Sequence, residues 1–119
     1  MSFKANIEKL TERNNFYRKV LYTTKQMQLV LMSLNSNEEI GREKHPNISQ
    51  FIRVEEGSGV AIVGRKRYRL KDGDAVIIPP NKYHNIIAGT EGLKLYTIYS
   101  PPEHRPDTKC KYKELCEEH

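Results

Sequence analysis

Between residues 16 and 100, apolar and polar positions alternate in short runs broken by glycine, proline and asparagine, a rhythm that predicts strands rather than helices. Phe16 to Thr23 alternates weakly and predicts a first strand. Gln26 to Leu34 predicts a central one, with Met27, Leu29 and Leu31 on one face and Val30, Met32 and Leu34 on the other. Apolar residues on both faces require cover on both, so the outer face must meet the N-terminal arm or a second subunit. Further on, Gln50, Ile52 and Val54 share a face, while Phe51, Arg53 and Glu55 take the opposite one. Glu56 to Gly59 is expected to turn into a strand at Val60 to Val63. Gly64-Arg65-Lys66 is a hairpin tip, and Lys71 to Asp74 a turn. Ala75 to Ile78 is expected to be a short buried strand that Pro79-Pro80 stops, since proline cannot donate to a ladder. Leu93 to Ser100 is the last strand, ended by Pro101-Pro102. Only residues 4–13 break the pattern, because Ile7 and Leu10 at helical spacing among charges predict a short helix or arm.

These elements describe one all-β domain: an N-terminal arm over residues 1–15, a core over about 16–100 and a charged tail over 101–119. Many short strands with almost no helical pattern indicate an antiparallel sandwich or barrel. With 119 residues, 37% hydrophobic and 29% charged, the chain has the composition of a soluble globular protein. No stretch approaches the roughly 20 apolar residues that span a bilayer, and the first residues lack an apolar leader core, so a cytoplasmic location is expected. Cys110 and Cys116 lie in a lysine- and glutamate-rich tail and read as free thiols. A zinc cluster of both with His104 and His119 lacks recognisable ligand spacing.

The formal net charge is +5, and Arg65, Arg67 and Arg69 fall at alternate positions of one hairpin. A solvated hairpin explains that stripe better than nucleic-acid binding, because no aromatic interleaving offers stacking. A small anionic substrate is equally compatible with the charge.

The candidate chemistry lies in two stretches, GREKHPNISQFIRVEEG from Gly41 to Gly57 and GDAVIIPPNKYH from Gly73 to His84. On a strand Glu43 and His45 point the same way, Gln50 faces the apolar side, and His84 shares its face with Ile86 and Ala88. A buried amide such as Gln50 needs a partner, which a metal or ligand would supply.

Together the two stretches resemble the paired motifs of the cupin superfamily. Six residues separate Gln50 from Gly57, and four separate His45 from Gln50, which sets Gln50 at the family's glutamate and Glu43 and His45 at its histidine pair. Gly73, Pro79 and His84 keep the register of the second motif. The departures are Glu43 for histidine, Gln50 for glutamate, Asn37 and Asn81 for two glycines, and Ala88 for the terminal asparagine. The resemblance selects a jelly-roll barrel and implies a homodimer, with a site inside the barrel for a small-molecule substrate. It implies a divalent metal (iron, manganese, nickel or zinc) held by Glu43, His45, Gln50 and His84, whose nitrogen and oxygen donors suit those ions. The chemistry implied is isomerase-type proton transfer on sugars or dioxygenase chemistry. A non-catalytic metabolite- or metal-binding module is the alternative. Tyr96, on the last strand, is the candidate acid, base or substrate clamp.

Overall fold

The computed structural model describes residues 1–116. Helix α1 (Ile7–Arg13) is followed by strands β1 (Arg18–Thr23), β2 (Gln28–Leu34), β3 (Ser49–Val63), β4 (Lys66–Lys71), β5 (Ala75–Ile78), β6 (His84–Ser100) and β7 (Lys109–Cys110), then the single turn α2 (Lys113–Cys116). All strand pairs are antiparallel, in the order β4-β3-β6-β2-β1-β7, and β5 joins β3.

Two long strands give the sheet its barrel shape. β3 pairs with β6 from Ser49↔Ser100 to Val63↔His84, with register shifts between Val54 and Glu56 and between Gly57 and Gly59. The expected turn at Glu56 to Gly59 is therefore a pair of bulges inside one strand, and the expected strands at Val60 to Val63 and Leu93 to Ser100 are halves of β3 and β6. Bulges let a strand bend from one layer into the other without ending. Gly57 makes the bend possible: its φ is +94°, and a β-carbon there would run into the carbonyl of Gly92.

The inward positions are Val30, Met32 and Leu34 of β2, Ile52 and Val54 of β3, Ile78 of β5, and Ile86, Ala88, Leu93 and Leu95 of β6, nearly all without solvent contact. β5 is only half buried, because Ile77 alternates outward and is 69% exposed. The outer face of β2 is covered only in part: Leu31 is buried, Leu29 is half-buried and Met27 is 46% exposed. α1 lies across β2, β3 and β6, Lys94 Nζ donates to the Glu12 carbonyl at 2.8 Å, and Leu31 is buried beneath. Asn6 caps the helix by accepting from Lys9 N at 3.1 Å.

The tail departs from expectation. Cys110 and Cys116 are joined in a disulfide, not free: β7 pairs with β1, α2 folds back, and the two Cα atoms come within 5.6 Å. They cannot serve a zinc cluster with His104 while bonded, and His119 lies outside the described residues. Lys113 of α2 donates to the Glu39 carbonyl at 2.7 Å, tying α2 to the segment that leads to Glu43. The Arg65, Arg67 and Arg69 stripe is solvent-exposed. Among the described residues no helix is long and apolar enough to cross a membrane.

Candidate metal centre

The segment before β3 runs antiparallel to the first half of β6. Ile40 N donates to the Ile86 carbonyl at 2.9 Å, and Glu43 and His84 exchange both backbone hydrogen bonds, at 2.8 and 2.9 Å. Residues paired in this way project to one face, so Glu43 and His84 side chains stand side by side. Two residues on, the His45 carbonyl accepts from Asn81 N at 2.9 Å, tying this segment to the turn before His84. Asn37 and Asn81, which replace two motif glycines, have φ of 60° and 65°. Asparagine tolerates that left-handed conformation better than other side chains with a Cβ, so the turns survive the substitutions.

Glu43, His45 and His84 each offer one ligand atom, all within 4.8 Å of one another. Glu43 Oε1 lies 3.5 Å from His45 Nε2 and 3.9 Å from His84 Nε2. These separations are long for hydrogen bonds. They approach the roughly 3 to 3.5 Å expected between donors that each sit about 2.1 Å from a shared metal.

The far nitrogens decide what the near ones can do. His84 Nδ1 is 2.9 Å from the Lys82 carbonyl, which can only accept, so Nδ1 carries the hydrogen and in the neutral ring Nε2 keeps a lone pair. His45 Nδ1 is 2.8 Å from Glu103 Oε2, the carboxylate–imidazole pairing that orients metal-binding histidines. Both Nε2 atoms are buried without a hydrogen-bond partner, and so is Gln50 Oε1. Gln50 Nε2 donates to Thr97 Oγ1 at 3.0 Å, which fixes the amide and leaves its oxygen unspent. Each orphaned group costs about 1 to 3 kcal/mol, and a divalent cation would satisfy the two imidazoles together. The donor set fits such an ion.

Electrostatics follow the same contacts. Burial pushes the Glu43 carboxyl up, but the His45 imidazole and the charges of Arg18 and His84 outweigh it and hold Glu43 below its ordinary value. The Glu43 carboxylate raises His45 against the opposing effect of burial, with Glu103 adding to the rise. Burial lowers His104 to about 4, helped by Arg18. The Tyr99 phenol is held far above its ordinary range by burial.

Tyr96 does not join this group. It projects to the outer face of β6, half-buried, its ring 6.2 Å from that of Phe51. Thr97 and Tyr99 face inward instead, and Tyr99 stands edge-on to His45 and to His104, at 6.0 and 5.0 Å. Glu103, which no motif marks, comes to the site from the tail. Gln28, fully buried, accepts from Glu103 N at 3.2 Å and His104 N at 2.9 Å and donates to the His104 carbonyl at 2.7 Å, pinning the tail over the barrel mouth. The available signal was Gln28 itself, a polar residue at an inward position of an apolar strand.

Comparison with known proteins agrees with this fold. The cupin domain family model matches residues 30–99. The uncharacterised protein YrkC of Bacillus subtilis is 42% identical over 109 residues, covering 86% of this chain and 59% of that protein, so the chain spans under two thirds of that relative. The uncharacterised protein L612 of Acanthamoeba polyphaga mimivirus is 41% identical, covering 87% of this chain and 68% of that one. The crystal structure of BH2720 from Bacillus halodurans superposes with a TM-score of 0.97 at 36% identity, over 100% of this chain and 96% of that one.

Proposed function

The chain belongs to the cupin family, and from that premise we propose a metal-dependent cupin acting on a small polar molecule, with Glu43, His45 and His84 holding a divalent ion inside the barrel. The observation that carries this reading is the pair of buried, partnerless Nε2 atoms beside Glu43, each aimed by a hydrogen bond at its own Nδ1. One carboxylate and two neutral imidazoles suit iron, manganese, nickel or zinc. Three protein donors leave positions for substrate or water, and the ion would supply Lewis-acid polarisation of a substrate oxygen or activation of water or dioxygen.

The chain's own residues have separable roles. Glu103 sets the tautomer and angle of His45, and the Lys82 carbonyl does the same for His84. Gln50, steadied by Thr97, presents an acceptor that can take a hydrogen bond from a bound hydroxyl or water, or act as a fourth oxygen donor. Tyr99 stays protonated and walls the site. Sugar isomerisation by proton transfer and dioxygenase chemistry both lie within this reading.

A non-catalytic binding module is the second reading, and one observation favours it. The titratable groups around the centre are committed elsewhere: Glu103 to His45, Tyr99 to its protonated form, His104 to a neutral form with weak basicity. Titration of manganese, iron(II), nickel and zinc into metal-stripped wild type and Glu43→Gln tests the first reading. It expects one ion per chain in the wild type and at least tenfold weaker binding in the variant. Equal binding by both removes Glu43 from the site, and turnover screened in the loaded protein separates enzyme from binder.

A further inference from the structure

Arg18 is a buried cation without a counter-ion among the described residues. It is only 8% exposed, its Nε is sealed from solvent with no hydrogen-bond partner, and among the described residues it takes part in no ion pair. Its one direct neighbour of note is the Tyr17 ring, 5.3 Å from the guanidinium carbon. Guanidinium groups stay charged at every accessible pH, so burial without an anion is a standing cost that the fold tolerates.

Its position gives that cost a purpose. Arg18 pairs with Met32, an inward residue of β2, so it sits on the interior side of β1. The positive charge of Arg18 lowers Glu43, His45, Tyr99 and His104 alike, in keeping with its place on the interior side of β1. Two carboxylates are nearby, but both are spoken for: Glu43 stands between two imidazoles and Glu103 bonds His45.

We propose that Arg18 anchors the carboxylate of a small anionic ligand bound against the Glu43, His45 and His84 centre. This rests on the metal-centre reading and names its substrate class. A guanidinium fork matches the two coplanar oxygens of a carboxylate, and a 2-oxo or 2-hydroxy acid would add a second oxygen for the open side of the centre. The ligand supplies the counter-ion that the described residues do not, which makes its negative charge a condition of binding.

The probe is pyruvate, titrated calorimetrically into wild type, Arg18→Gln and Arg18→Lys, each loaded with manganese and assayed for metal content and thermal unfolding. The expected result is equal metal in all three proteins, pyruvate binding at least tenfold weaker in Arg18→Gln, and an intermediate loss in Arg18→Lys. Pyruvamide, which lacks the charge, should not distinguish wild type from Arg18→Gln. Unchanged pyruvate affinity in a folded Arg18→Gln, or no pyruvate binding by the wild type, overturns the proposal. Arg18-dependent binding of inorganic phosphate in preference to pyruvate overturns the carboxylate assignment. Failure of the wild type to take up metal sinks the metal centre instead, and pyruvate titrated into that metal-free wild type and Arg18→Gln still reads Arg18.

Discussion

Glu103 and His45 are joined at 2.8 Å between Oε2 and Nδ1 although β3 to β6 separate them in the chain. The contact turns the bare Nε2 of His45 toward Glu43 and makes a tail residue part of the site. Glu103→Gln should therefore weaken metal binding about 10- to 100-fold, the range for loss of an outer partner of a metal-bound histidine. All three ligands remain in place in this variant. A competition titration with a chromogenic chelator measures the change, and an unchanged constant would make the contact structural only.

Gln50→Glu tests the exchange of charges between motif positions. It adds a second carboxylate beside Thr97, so binding of hard divalent ions should tighten and the preference among manganese, nickel and zinc should shift. Gln50→Ala should weaken binding less than loss of either histidine. Metal titrations on both variants give the ranking.

His104 makes acid sensitivity predictable in sign. Its folded value of about 4 lies below the ordinary imidazole value of 6.5, so the unfolded chain binds the proton more readily. The neutral ring's contribution is complete above about pH 6.5 and is lost as pH falls toward 4. His104→Gln should flatten the stability profile across that window while changing little at pH 8. Urea unfolding at pH 4.5, 6 and 8 checks it.

Gly57→Ala should destabilise the fold by more than the roughly 1 kcal/mol of an ordinary glycine replacement. The new methyl meets the Gly92 carbonyl at a positive φ, so the β3 bulge must shift. Gly73→Ala meets nothing within 4 Å at φ +91° and isolates the backbone strain alone. Midpoints of thermal unfolding for the two variants should rank Gly57→Ala lower.

Parity carried much of the site from sequence. Once Ile52 and Val54 are assigned to the interior, Gln50 must follow them, and Ile86 and Ala88 bring His84 along. It failed where continuity was misread. The glycines at 57 and 59 look like turn punctuation, yet they are bends within β3, where it pairs with β6. Tyr96 projects outward on that strand, and Tyr99 faces inward. Glu103, Arg18 and the Cys110–Cys116 bond were hidden for a different reason. Each depends on where the tail and first strand meet the barrel, a long-range closure that no local pattern encodes.

The central claim is that this barrel holds a divalent ion on Glu43, His45 and His84. Elemental analysis of untagged protein purified without chelator, beside His84→Ala prepared in the same way, tests it most directly. The account predicts near-stoichiometric iron, manganese, nickel or zinc in the parent and its loss in a variant that keeps the parent's circular dichroism. Equal metal in both proteins, or none in the parent even after reconstitution, would contradict it.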